Sequence, residues 1–308
     1  MKDIFDLIII GGGPGGVAAG VYAARKKLKT LFITDAWGGQ STVSDDIQNW
    51  IGTPHISGAQ LAKNLKEHLE EYAANDVTIL TPARATGVVK SGELFEVSTG
   101  KGTFTTRTVL LTVGSARRKL DVPGADIFEH KGLTYCASCD GPLFTDADVV
   151  VVGGGNAAFE SAAQLLAYAK SVTLIDRGPE FRADPVTVEK VTANKHMTAL
   201  HNTISKEVHG DVFVSGLSVI DAITKEERLI PCTGIFIEIG LLPNTDFLGT
   251  IVDLSPTKQV LIDPWTQKTS VPGIWAAGDC TNVKYHQNNI AAGDAVRALE
   301  DIYAYLKA

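Results

Sequence analysis

The strongest constraint on this chain is a glycine turn used twice. Residues 5–10 form a short apolar, β-branched run that reads as a buried strand. It ends in Gly11-Gly12-Gly13-Pro14-Gly15-Gly16, residues 17–27 read as an alanine-rich helix, and residues 30–34 read as the next strand. Asp35 closes that strand, 24 residues after Gly11. The order then recurs: strand 148–152, turn Gly153-Gly154-Gly155-Asn156-Ala157-Ala158, helix 159–169, strand 172–175, and Asp176, 23 residues after Gly153. In such a unit the first glycine permits a tight turn and the second lets a pyrophosphate approach the backbone. The third position lets helix pack on strand, and the helix N-terminus faces the phosphates. The acid at the second strand's end accepts from ribose hydroxyls. Two copies, 142 residues apart from Gly11 to Gly153, imply an α/β protein that holds two nucleotides.

Between the copies lies Tyr135-Cys136-Ala137-Ser138-Cys139-Asp140-Gly141-Pro142-Leu143-Phe144. Two cysteines separated by two residues switch between dithiol and disulfide with little backbone movement. The other two cysteines, Cys232 and Cys280, are isolated and read as buried small hydrophobes. A zinc site competes for Cys136 and Cys139, but structural zinc wants four ligands in set spacings. His196 and His201, read on a helical segment, have no cysteine pair near them in sequence. A purely structural disulfide is disfavoured in a reducing compartment. With a flavin in the first site and a nicotinamide in the second, the pair completes a relay from nicotinamide to flavin to disulfide. One sulfur then faces the flavin while the other attacks an external disulfide. Thiolate is the reactive form, and a helix N-terminus lowers a thiol pKa from about 8.5. Asp140 is placed as acid or base toward the dithiol.

The 308 residues allow about two domains. A net charge of −7 argues against a nucleic-acid binder. Met1-Lys2-Asp3-Ile4-Phe5-Asp6 has an acidic break unlike a signal peptide, and no run approaches the ~20 apolar residues of a membrane span. The expectation is a cytoplasmic protein with neither membrane nor nucleic-acid partners. Elsewhere, 58–74 reads as an amphipathic helix and 77–80, 85–90, 94–98 and 103–105 as a strand meander. Residues 108–113 read as a further strand, 185–200 as helix, 203–229 as a second meander, 234–240 and 274–277 as buried strands, and 290–306 as a C-terminal helix.

These motifs resemble a known family. Gly11-x-Gly13-Pro14-x-Gly16, Gly38-Gly39-Gln40, Asn49-Trp50, Cys136-Ala137-Ser138-Cys139-Asp140-Gly141, Gly153-Gly154-Gly155-Asn156-Ala157 and Ala276-Ala277-Gly278-Asp279 together resemble the low-molecular-weight thioredoxin reductases, over essentially the whole chain. Cys139 to Phe144, Ile239 to Thr245 and Ala277 to Thr281 are especially similar to the reductase core of the alkyl hydroperoxide reductase flavoprotein subunit. That subunit carries an extra N-terminal thioredoxin-fold portion; with Gly11 near the start here, its job is expected to fall to a separate protein. The resemblance implies two Rossmann-like domains, the second inserted into the first: an FAD domain from 1–115 and 244–308, and a nicotinamide domain from 116–243 carrying the cysteines. It implies a homodimer, a rotation between domains, and a thioredoxin- or glutaredoxin-like protein as partner. By the same resemblance Cys139 faces the flavin, Cys136 attacks the partner, and Asp140 is the acid. Asp279, beside Gly278, binds the ribityl chain, and Gln40, Asn49 and Gln287 contact the flavin.

Two departures bear on the donor. NADPH-using members resemble His-Arg-Arg-x-x-x-Arg after the second fingerprint's second strand; here the run is Asp176-Arg177-Gly178-Pro179-Glu180-Phe181-Arg182. An acid there accepts from a 2′-hydroxyl and repels a 2′-phosphate, which favours NADH, although Arg177 and Arg182 remain to hold a phosphate. Tyr285-His286-Gln287-Asn288 stands where the family often resembles Arg-Gln-Ala, which puts His286 near the flavin and leaves the donor open. The alternatives are a ferredoxin-linked reductase, an NADH oxidase or peroxidase-system reductase, and a non-catalytic flavin sensor.

Overall fold

The structure is a computed structural model that describes residues 4–44 and 46–308. Met1 to Asp3, part of the stretch read against a signal peptide, lie outside the described residues. Two compact units divide the chain: the residues up to Ala116 together with Leu242–Ala308, and Arg117–Leu241.

The first unit starts with β1 (Ile4–Ile10), α1 (Pro14–Arg25), β2 (Thr30–Ile33), α2 (Gly58–Ala73), β3 (Val77–Leu80), β4 (Ala85–Ser91), β5 (Leu94–Thr99) and β6 (Gly102–Leu111). Strand β1 lies between β2 and β6, parallel to both. Its side chains alternate between two cores: Leu7 and Ile9 face one, Ile8 and Ile10 the other. Burial on both faces explains a strand that reads as one apolar run rather than as alternation. Helix α2 starts at Ser57, whose Oγ accepts from Gln60 N at 3.2 Å, and buries Leu61, Leu65 and Leu69 as one stripe.

Strand β6 corrects the sequence reading, which broke it between 105 and 108. One edge of β6 pairs continuously with β1, from Thr105 to Leu111. On the other edge its first half pairs antiparallel with β5, and Val109 to Leu111 pair with a later strand. Threonines at and beside that break are buried inside it: Thr106 Oγ1 donates to Phe5 O at 3.2 Å and Thr108 Oγ1 to Asp6 O at 2.7 Å.

The chain passes between units through β7 (Ser115–Arg117) and, on its return, β16 (Leu241–Pro243), which pair as a two-stranded ladder. The second unit holds β8 (Leu133–Thr134), α3 (Ala137–Asp140), β9 (Asp148–Val152), α4 (Asn156–Leu165), β10 (Ser171–Ile175), α5 (Pro185–Thr192) and β11 (Met197–Leu200). It continues with β12 (Thr203–Gly210), β13 (Val214–Asp221), β14 (Glu227–Pro231) and β15 (Gly234–Ile237). A parallel sheet runs β11-β10-β9-β15-β8, and β12-β13-β14 form a separate antiparallel sheet. Residues 185–200 are not one helix: α5 stops at Thr192, and β11 pairs residue for residue with β10. Helix α4 begins at Asn156 and ends at Leu165, earlier at both ends than the sequence reading.

Back in the first unit, β17 (Ile274–Ala276) supplies the partner for the end of β6, and α6 (Asn288–Lys307) closes the chain. Gly15 of α1 packs on α6: a Cβ built on it would lie 3.0 Å from Ala291 O. That close approach sets the N-termini of both helices side by side. Among the described residues no helix is long and apolar enough to cross a membrane.

Candidate active site

In the first unit the three positions of the fingerprint behave differently. Gly11 has φ +124°, and a Cβ on it would overlap the Thr112 carbonyl. A Cβ on Gly16 would overlap the Gly11 carbonyl, so helix and turn touch there. Gly13 is open: the nearest atom to its Cβ position is Gly39 Cα at 4.0 Å. This is the pattern of tight turn, close ligand approach and helix–strand packing that a pyrophosphate cradle needs. Pro14 opens α1, where its missing N–H costs nothing.

Other segments gather round this turn. Gly38 N donates to Gly12 O at 2.9 Å, which brings Gly39 and the exposed Gln40 alongside; they lie in a short 3₁₀ turn, Gly39–Val43. Asn49 Nδ2 donates to Gln287 Oε1 at 3.2 Å, and Asn289 Nδ2 donates to Asn49 O at 2.7 Å. Ser41 Oγ donates to Asn288 Oδ1 at 3.1 Å. The structure thus joins Ser41 and Asn49 to the start of α6. Gly278 takes φ +76°, and Asp279 Oδ1 lies 3.4 Å from His286 Nδ1, a buried nitrogen without a hydrogen bond. Asp35 is exposed and pairs with Arg84 at 3.2 Å. An open glycine cradle, two helix N-termini and an unbonded buried imidazole nitrogen fit a flavin dinucleotide.

The second unit repeats the pattern. Gly153 has φ +142°, and a Cβ on it would overlap the Glu238 carbonyl. Gly155 has nothing within 4 Å of its Cβ position, and Ala158 is fully buried. Asp176 is buried beneath Gly154, and its Oδ2 accepts from Gly178 N at 3.0 Å. The loop after it folds back on the turn. Arg182 N donates to Gly154 O at 2.7 Å, and Asp184 N donates to Asn156 Oδ1 at 2.7 Å. Phe181 anchors that loop between Phe159 and His201, leaving the Arg177 and Arg182 side chains exposed, as is Ala157. This cradle fits a second dinucleotide with its ribose toward Asp176.

Cys136 and Cys139 form a disulfide with Cα atoms 5.3 Å apart, both residues half-buried. Strand β8 pairs with β15, parallel to it as β9 is, so Tyr135 and Cys136 leave the sheet at the same C-terminal end of the strands as the second glycine turn. Buried Ala137 and a 3.0 Å hydrogen bond from Ser138 Oγ to Gln164 Oε1 fasten α3 to α4. Cys139 N donates to Cys136 Sγ at 3.2 Å, which gives the two sulfurs unequal surroundings. Thr134 Oγ1 donates to Asp140 Oδ2, orienting that carboxylate. Burial, reinforced by Glu129, pushes the Tyr135 hydroxyl up to about 12, so it stays protonated. Among the described residues no three His, Cys, Asp or Glu side chains gather as a metal-binding group.

The sequence reading missed three residues. Thr134 orients Asp140; its signal was a threonine just before the cysteine motif. Arg117 donates through Nη1 to Tyr135 O. Glu238 is half-buried after β15, with Ser161 Oγ donating to its Oε1 at 2.7 Å. Its signal was an acid inside the apolar run 234–240.

A two-unit α/β protein with paired dinucleotide-type turns and a Cys-x-x-Cys disulfide is an oxidoreductase of the thioredoxin reductase type. The chain belongs to the pyridine nucleotide-disulphide oxidoreductase family, whose model matches residues 5–295. It is similar to a thioredoxin reductase structure from Streptococcus pyogenes, at 32% identity and TM-score 0.89, covering 100% of this chain and 99% of that one. A thioredoxin reductase from Giardia duodenalis matches at 29% identity and TM-score 0.93, with 100% of both chains covered. A Bacillus subtilis protein named NADH dehydrogenase is 37% identical over 306 residues, covering 99% of this chain and 59% of that protein. A component of the Escherichia coli alkyl hydroperoxide reductase is 37% identical over 307 residues, with the same two coverages. The chain therefore spans about three-fifths of the length of these curated relatives.

Proposed function

We propose that this chain is a flavoprotein disulfide reductase that passes electrons from NADH through FAD and the Cys136–Cys139 disulfide to a thioredoxin- or glutaredoxin-like protein. The observation that carries the reading is that disulfide: half-buried, beside an oriented carboxylate, at the edge of a sheet that also carries a glycine cradle. In this reading the unit built from both chain ends holds FAD, through Gly11, Gly13, Pro14, Gly16, Asp35, Gly39, Gln40, Asn49, Gly278, Asp279, His286 and Gln287. The unit Arg117–Leu241 holds the nicotinamide cofactor, through Gly153, Gly155, Asn156, Ala157 and Asp176. When bound, FAD supplies a two-electron carrier between nicotinamide and disulfide.

The rest is sulfur chemistry. Two electrons and two protons break the Cys136–Cys139 bond and leave two thiols. Cys136, as thiolate, attacks the partner's disulfide, forming a mixed disulfide and releasing one partner thiol. Cys139 then attacks the Cys136 sulfur, restoring the internal disulfide and releasing the second. Asp140, held by Thr134, exchanges the proton that these steps require. The buried Asp176 supports NADH, because a carboxylate there accepts from a 2′-hydroxyl and repels a 2′-phosphate. The Bacillus subtilis relative's name agrees. In the NADPH alternative, the exposed Arg177 and Arg182 hold the phosphate. A homodimer in the cytoplasm completes the proposal.

The test is anaerobic titration of the FAD-loaded protein. NADH should bleach the flavin band and then reduce a thioredoxin-like disulfide. Cys136→Ser with Cys139→Ser should keep the bleaching and abolish the reduction. A chain that stays colourless after FAD loading, or a double variant that still reduces the partner, overturns the reading. The NADH dehydrogenase name favours one second reading, delivery of electrons to oxygen or a peroxidase. In that case oxygen consumption survives in the double variant. Bleaching by reduced ferredoxin alone marks the ferredoxin-linked alternative.

A further inference from the structure

We propose that Glu238 grips the carboxamide of the nicotinamide ring, so that it positions the reacting end of the cofactor. The inference rests on the pyridine-nucleotide reading of the Arg117–Leu241 unit. Strand order carries it first. β9 lies between β10 and β15, so the glycine turn that follows β9 sits where the order of the sheet reverses, and the ligand crevice of such a sheet opens there. Asp176 follows β10 on one flank of the turn. Glu238 follows β15 on the other, pinned by its N–H donating to Val152 O at 2.8 Å. A dinucleotide laid across the turn with its adenosine ribose toward Asp176 has its nicotinamide half toward Glu238.

The side chain suits that half. Ser161 Oγ, on α4, donates to Oε1 at 2.7 Å and sets the direction of the carboxyl group. No second side chain is bonded to it among the described residues. Arg117 is the nearby cation, but its Nη1 donates to the Tyr135 carbonyl. Burial pushes the Glu238 carboxyl above the usual carboxylate range, against the opposing pulls of Ser161 and Arg117. The Glu238 carboxyl offers an acceptor oxygen beyond the one bonded to Ser161. A primary carboxamide offers an N–H₂ donor to that oxygen, whereas the anionic pyrophosphate offers it none.

The competing explanation is that the Glu238–Ser161 bond only ties β15 to α4. Calorimetric titration of the full chain with NAD⁺ and with ADP-ribose, which lacks the nicotinamide ring, separates the two. Glu238→Ala should weaken NAD⁺ about tenfold, or ~1.4 kcal/mol, and leave ADP-ribose within about twofold of wild type. Retained ADP-ribose binding also shows that the variant is folded. Glu238→Gln, which keeps an acceptor oxygen in the same place, should bind NAD⁺ within about threefold of wild type. Unchanged NAD⁺ affinity in Glu238→Ala overturns the proposal. So does an equal loss of ADP-ribose, and so does a Glu238→Gln loss as large as that of Glu238→Ala. A wild-type chain that binds neither ligand overturns the pyridine-nucleotide reading instead.

Discussion

Gly155→Ala should remove nucleotide binding without touching the fold. Gly155 has φ −96° and ψ −179°, a conformation open to alanine, and its Cβ position has no atom within 4 Å. Restricting the unfolded chain stabilises by about 0.4–1 kcal/mol. Gly155 is also the N-cap of α4, where glycine is better than alanine by roughly 1 kcal/mol. The two nearly cancel, so net stability should change by less than about 0.5 kcal/mol. On the proposed pyridine-nucleotide reading the added methyl stands where a pyrophosphate would approach the backbone, and should weaken NAD⁺ at least tenfold, or about 1.4 kcal/mol. Gly153→Ala is the contrast: at φ +142° its Cβ would overlap the Glu238 carbonyl, at a cost on the order of 3 kcal/mol. Urea denaturation with NAD⁺ calorimetry reads both quantities. If Gly155→Ala binds NAD⁺ like wild type, or unfolds as readily as Gly153→Ala, the cradle is misread.

Asp140→Asn should slow reduction of the partner disulfide about a hundredfold and leave flavin bleaching by NADH unchanged, as stopped-flow will show. Burial pushes the Cys232 and Cys280 thiols up to about 12. A thiol reagent should therefore find two reactive groups in the reduced native protein, Cys136 and Cys139, and all four cysteines only after denaturation. The same burial makes stability pH-dependent. The contribution of Cys232 and Cys280 is fully present below about pH 9, their ordinary value, and is lost as pH rises toward about 12. Replacing both by alanine should flatten that alkaline limb in chemical denaturation. Asp176→Asn should raise the NADH KM about tenfold, with a smaller effect on NADPH, narrowing the preference.

What was legible was what lies close together along the chain. The glycine turns, the Cys-x-x-Cys pair and the strand-ending acids are spacings within some twenty-five residues, and local backbone geometry produces them wherever the chain is placed. The buried parallel strands were equally plain, because burial on both faces demands continuous apolar runs. The sequence misread β11 as helix because its pairing with β10, a tertiary contact, overrode local pattern. It broke β6 in two at residues 106–107, because a polar stretch such as Thr105-Thr106-Arg107-Thr108 shows its place in the sheet only when the Thr106 and Thr108 hydroxyls find the β1 carbonyls.

By itself, then, the sequence determined the fold class and the identity of the two cysteines that pair as a disulfide. Only tertiary structure decided what surrounds them: Asn49 bonded to Gln287 across 238 positions, Thr134 holding Asp140, and Glu238 set against Ser161. The physical reason is range. A turn or a redox pair is specified by neighbours along the backbone. The environment of a side chain is specified by whichever distant segments the packed core brings to it.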